Sequence, residues 1–258
     1  MHELPLVFFT VFAQCAVGLM LIAFISQKLS LADNRQLNVA NVLAFILMGI
    51  GFVIGMFHLG QLFRAPNMLM GIGRSPMSNE IVLSGAFMLF LVLTLFFTFL
   101  KKNRKLSVIC NLLALVIGLA FIGSITQVYQ LNTVPTWNTD YTTLQMWMTV
   151  LIGGGACALL LGIRSLGAIS LLLGAATILF MRSGYMSFID QISPQMTLAQ
   201  LSFWTIQLFC LAIGILAAGT ALFKKEGMSA ILAICSIAVI IGEVSSRIAF
   251  YNLWAISM

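Results

Sequence analysis

Long apolar runs broken by short polar segments dominate the chain, and their spacing predicts eight transmembrane helices. The runs cover about residues 5–27, 37–59, 79–100, 107–130, 143–163, 167–187, 199–223 and 228–251. Each is near the roughly 20 residues that a helix needs to cross a hydrocarbon layer of about 30 Å. The expected fold class is all-α, a polytopic integral membrane protein forming a single eight-helix domain over residues 1–258. The start, Met1-His2-Glu3-Leu4-Pro5, has no basic segment and leads into a run too long for a cleaved leader. That run is expected to remain as the first helix.

Composition narrows the class further. The chain is 61% hydrophobic and 8% charged, against roughly 25% charged in soluble domains, so a solvated surface cannot be built. The net charge of +6 then has a topological origin, and a nucleic-acid partner is not expected. Cytoplasmic loops are enriched in Lys and Arg. With both termini outside, the inner connections hold Lys28, Arg35, Lys101, Lys102, Arg104, Lys105, Arg164, Lys224 and Lys225, which is nine of the 13 bases. Arg64, Arg74, Arg182 and Arg247 fall on the outer side. This predicts both termini in the periplasm of a bacterial inner membrane.

The outer connections, near 60–78, 131–142 and 188–198, are longer than the inner ones and are the expected binding surface. Gly51 with Gly55, and Gly153-Gly154-Gly155, permit close helix approach. Cys15, Cys110, Cys157, Cys210 and Cys235 all lie in apolar runs without a CxxC pair, so they read as packing residues and no metal site is expected.

Candidate chemistry concentrates where the second run ends and the third begins. His58 closes one and Glu80 opens the other, so an antiparallel pair would bring both to a similar depth near the membrane edge. A histidine with an ordinary pKa near 6.5 and a carboxylate there are suited to accepting two protons, which the oxidation of a quinol requires. Blander readings stand beside this one. Glu80, following Ser78 and Asn79, is also placed to stabilise a helix N-terminus, and His58 is also suited to an interfacial hydrogen bond. Glu243 and Arg247 are spaced as an internal ion pair, yet Glu243 lies deep enough to need a partner or a wet cavity. With His2 and His58 as the only histidines, a haem held by two buried imidazoles is not expected.

These residues carry a resemblance. His2-Glu3 with Pro5-Leu6, Phe9-Thr10-Val11-Phe12, Met48-Gly49-Ile50-Gly51-Phe52, His58-Leu59-Gly60 with Arg64-Ala65, and Ser78-Asn79-Glu80-Ile81 with Leu83 form its first part. Val134-Pro135-Thr136-Trp137 and Gly242-Glu243 with Arg247, Phe250 and Tyr251 complete it. Together they resemble the membrane anchor subunit of the bacterial dimethyl sulfoxide reductase family, with about 143–225 similar in hydropathy alone. The resemblance implies a haem-free anchor that oxidises menaquinol. Electrons would pass to an iron–sulfur subunit and then to a molybdenum catalytic subunit, in a heterotrimer docked on the periplasmic face. It also implies a quinol site at His58 and Glu80 with Arg64 close by, leaving Glu243 and Arg247 as secondary candidates. Two other readings stay open: a purely structural anchor, and a secondary transporter, which would place polar groups and broken helices near the midplane.

Overall fold

The computed structural model describes residues 3–57, 70–223 and 229–254. Eight long helices follow one another: α1 (Leu4–Lys28), α2 (Asn34–Met56), α3 (Pro76–Leu95), α4 (Arg104–Tyr129), α5 (Asp140–Leu160), α6 (Arg164–Ile192), α7 (Pro194–Phe223) and α8 (Ser229–Asn252). A π-helical turn, Phe96–Leu100, continues α3. All eight are long and apolar enough to cross a membrane. Glu3 and Trp254, the first and last described residues, line one cavity and so lie at the same end of the bundle, hereafter the terminal end.

Five helices begin one turn before the apolar pattern does, at Asn34, Pro76, Arg104, Asp140 and Arg164 rather than at 37, 79, 107, 143 and 167. The reason lies in their first turns, which are polar and stabilised locally. Asp33 accepts from Gln36 N at 2.6 Å while Gln36 returns a bond to Asp33 N at 3.1 Å, a reciprocal cap. Asn103 caps α4 through Leu106 N at 3.2 Å, and Pro76 fits a first-turn position that needs no N–H donor. The expected loop at 188–198 is a correction of the same kind. There α6 runs on to Ile192 and α7 starts at Pro194, with Ser193 alone between them. Proline forces the residue before it into extended backbone, and Ser193 adopts φ −159° and ψ 106°, so one residue makes the break.

α1 is the most enclosed helix and packs along α2 and α5. Its contact with α5 depends on Gly18 and Gly154, where a methyl group on either would fall within 3.0 Å of the other helix's backbone. This is the close approach that small residues allow between membrane helices. Gly153 meets the Cys15 side chain across the same seam. Cys15, Cys110, Cys157 and Cys210 are buried and Cys235 is half-buried, all as free thiols. At Gly51, by contrast, an added methyl group would meet Phe9 at an ordinary 3.5 Å.

The remaining helices pair as α3 with α4, α5 with α6, and α7 with α8. The α3–α4 pair meets α1 and α2 along a looser seam. Midway it is closed by Phe87, Phe121 and Met48, all fully buried, with Phe9 and Phe87 each against the Phe121 ring at centroid distances of 6.2 and 6.4 Å. At both ends the seam opens into a cavity.

Candidate functional site

At the terminal end the opening is a cavity of about 530 Å³ between α1, α2, α3 and α4, closed by the chain's last described residues. Phe9, Phe52, Ile81 and Val128 give it apolar walls. Half-exposed Met56, Met77 and Trp254 line its mouth.

Polar groups enter from three directions. Glu80, one turn into α3, is 8% exposed and lines the cavity with Ser84. Ser84 donates to its own helix at Ile81 O, 2.8 Å, whereas Glu80 has no hydrogen-bonding partner among the described residues. Opposite stand Tyr129 from α4 and Tyr251 from α8, whose hydroxyls are hydrogen-bonded to each other. Trp137 completes that wall. Its ring stacks on Phe250 at 5.3 Å and meets Tyr129 edge-on at 5.4 Å, while its Nε1 donates to Phe250 O at 2.8 Å. Thr136 donates to Leu253 O at 2.6 Å. The segment after α4 is therefore a brace that fixes the end of α8 against α4, and only part of it faces outward: Val134, Thr136 and Trp137 are buried, Asn132, Pro135 and Asn138 exposed.

His58 and Arg64 lie outside the described residues. α2 ends at Met56, and both Met56 and Gly55 line the cavity, so the chain leaves α2 at the edge of the space that Glu80 borders.

Glu243 and Arg247 lie elsewhere, in a polar cluster enclosed by α1, α5, α6, α7 and α8. Glu243 accepts from Thr149 at 2.6 Å and from Gln207 at 2.8 Å. Arg247 donates to Gln14 at 2.7 Å, to Thr149 at 3.2 Å and to the sulfur of Met146. Thr149 thus links the two residues expected as a pair. Arg182 joins through Gln207 and lies over the rings of Trp204 and Tyr185, 5.7 and 5.9 Å from their centroids. Arg182 and Arg247 are therefore interior groups, not charges of an outer loop. The free space here is about 10 Å³, enough for a single water at most, and the helices around it are continuous. A transported substrate has no room in it.

Neither Tyr129 nor Tyr251 is among the site candidates named from the sequence, and Gln14, Thr149 and Gln207 are absent from them. Gln14 and Gln207 carried a usable signal, since a glutamine in the middle of an apolar span needs a polar neighbour.

The fold and the site define a multi-pass membrane protein with an amphipathic cavity at one end and an ionic cluster sealed in its interior. More narrowly, the chain belongs to the DMSO reductase anchor subunit (DmsC) family, matched over residues 1–253. It is 31% identical over 272 residues to the anaerobic dimethyl sulfoxide reductase chain YnfH of Escherichia coli (strain K12), covering 98% of this chain and 95% of that one. It is 37% identical over 161 residues to an anaerobic dimethyl sulfoxide reductase subunit of Haemophilus influenzae, covering 60% of this chain and 56% of the relative. The subunit of the same name in Escherichia coli is 35% identical over 162 residues, or 59% of this chain and 55% of the relative. The family match extends through 143–225, where the resemblance had rested on hydropathy. An anchor subunit of this family implies catalytic and electron-transfer partner subunits.

Proposed function

We propose that the cavity at the terminal end binds menaquinol and that this anchor oxidises it, delivering electrons to an iron–sulfur subunit and through it to a molybdenum catalytic subunit. The observation that carries this reading is the buried Glu80, unpartnered among the described residues, on an apolar-walled cavity of about 530 Å³. That volume is within the roughly 300–1,000 Å³ of small-molecule sites. A fused quinol ring and the first part of its isoprenoid tail suit the apolar walls. The mouth between helices admits a substrate dissolved in the bilayer.

Oxidising a quinol removes two electrons and two protons. Glu80 accepts one hydroxyl proton, and His58, one residue past the α2 cap at Phe57, accepts the other, while Arg64 holds the quinone oxygen. The Tyr129–Tyr251 pair contributes a hydroxyl that orients the ring against Trp137. Electrons leave for the partner docked beside the cavity, in an assembly of three different subunits. By the distribution of bases the terminal end is periplasmic, in the inner membrane: with Arg182 and Arg247 buried, Arg64 and Arg74 are the bases left at that end.

The test is quinol-driven turnover per assembled complex in Glu80→Gln and His58→Ala variants, beside turnover with an artificial donor that reduces the partner subunits directly. Loss of the first with retention of the second is expected. A purely structural anchor would give unchanged quinol turnover per complex and, at most, less complex.

A further inference from the structure

The looser seam also opens at the opposite end, and that cavity has a different chemistry. It encloses about 330 Å³ between the end of α1, the start of α2, the π-helical turn after α3 and the start of α4. Lys28, Lys102 and Arg104 line it, and among the described residues no acidic side chain does. Lys28 is held with its ammonium 5.4 Å from the Phe24 ring. The first residues of α2 and α4, Asn34 and Arg104, both belong to the lining; the N–H groups of Gln36 and Leu106 at these helix ends are taken by Asp33 and Asn103, so the attraction for an anion comes from the three bases. Its interior wall carries Asn41 and Asn111, 2% and 3% exposed. Neither amide is hydrogen-bonded among the described residues, and both carbonyl oxygens are buried without a partner. Buried amides in that state call for a ligand or solvent to complete them.

We propose that this cavity binds the headgroup of an anionic glycerophospholipid, with its phosphate diester between Lys28, Lys102 and Arg104 and its headgroup hydroxyls on Asn41 and Asn111. Basic pockets between membrane helices recognise such headgroups. The phosphate meets the three bases, and the amides need donors as well as acceptors. A glycerol headgroup supplies hydroxyls that do both, so phosphatidylglycerol is the preferred lipid. Phe24, Leu37 and Phe97 offer apolar contact to the ester region, and Ile46 on α2 and Ile109 on α4 are exposed to the acyl layer. A lipid seated here would hold the α1–α2 and α3–α4 pairs together where they pack most sparsely.

The full chain is purified in mixed micelles holding equal amounts of phosphatidylglycerol, phosphatidylethanolamine and phosphatidylcholine, and the retained lipid is weighed by native mass spectrometry. Wild type is expected to retain phosphatidylglycerol about tenfold or more over the other two. The triple variant Lys28→Gln, Lys102→Gln, Arg104→Gln should lose that preference. The variant Arg35→Gln, Lys101→Gln, Lys105→Gln, which removes the same charge outside the cavity, should keep it. Asn111→Leu in an otherwise unchanged chain should lower retention of phosphatidylglycerol more than that of phosphatidic acid, which lacks the headgroup hydroxyls. Equal retention of the three lipids by wild type, or equal losses in the two triple variants, would overturn the proposal. Displacement of the lipid by excess inorganic phosphate would also overturn it, in favour of a free-anion site. Should the first triple variant fail to fold, the wild-type selectivity and the phosphate competition decide the matter.

Discussion

Adding one methyl group at Gly154 should destabilise the bundle, while the same change at Gly85 or Gly123 should not. The Cβ of Gly154→Ala would lie 2.5 and 2.6 Å from Gly18 C and Cα and 2.8 Å from Leu19 N, all backbone atoms that cannot swing aside. Restoring an ordinary separation of at least 3.4 Å drives α1 and α5 apart by about 1 Å. Forcing extra volume into a packed interior costs about 1–3 kcal/mol. The same displacement strains the bond from Gln14 to Met146 and pulls Gln14 from Arg247, adding roughly 0.6 kcal/mol per side-chain hydrogen bond in a membrane. The expected loss is about 2–4 kcal/mol. At Gly85 and Gly123 nothing lies within 4 Å of the added atom, and alanine should be neutral or stabilising by up to about 1 kcal/mol from helix propensity. Reversible unfolding in mixed micelles with increasing denaturing detergent measures all three. Gly154→Ala as stable as wild type, or all three variants shifting together, would refute the close α1–α5 seam.

Glu243→Leu removes the acceptor of Thr149 and Gln207 and the counter-charge of Arg182 and Arg247, so a loss of about 3–5 kcal/mol is expected; Glu243→Gln, which keeps an acceptor, should lose less in the same assay. A reporter active only in the periplasm, fused after Met258, should be active, and activity of a cytoplasm-specific reporter at that position would reverse the assigned orientation. Charge reversal at Arg74 or Asp140, at the terminal end, should loosen the partner subunits more than reversal at Lys102 or Lys224, as read by co-purification. Similar losses at both ends would place the partner contacts differently.

The number, order and type of the helices were legible because each span is a long apolar run, and the errors have local causes. Apolar periodicity starts only after the first polar turn, so Asp33, Asn103 and Thr139 looked like loop residues although their side chains cap helices. Polar Asp190 and Gln191 suggested a loop where the helix continues, because a single extended residue before Pro194 is enough to turn the chain. The connection near 131–142 belongs to the expected binding surface, and within it Thr136 and Trp137 turn inward onto α8.

The candidate site was legible at Glu80, a charge at the start of an apolar span. The rest of its cavity was not, because Tyr129 and Tyr251 are 122 positions apart and no spacing along the chain predicts that their hydroxyls meet. The same holds for Gln14 and Arg247, 233 positions apart. Their partners are chosen by how α1, α5 and α8 pack, and that packing depends on small residues such as Gly18 and Gly154 that carry no chemical signal of their own.

The most direct measurement of the central claim is the labelling pattern of a photoreactive naphthoquinone on the assembled complex, mapped by peptide mass spectrometry. Adducts are predicted on the residues lining the terminal-end cavity, namely Met77, Glu80 and Ile81 of α3, Tyr129 of α4 and Trp254, competed by excess menaquinone analogue and reduced in Glu80→Gln. Labelling confined to the opposite cavity around Asn41 and Asn111, or labelling that neither the competitor nor Glu80→Gln alters, would contradict quinol oxidation at Glu80.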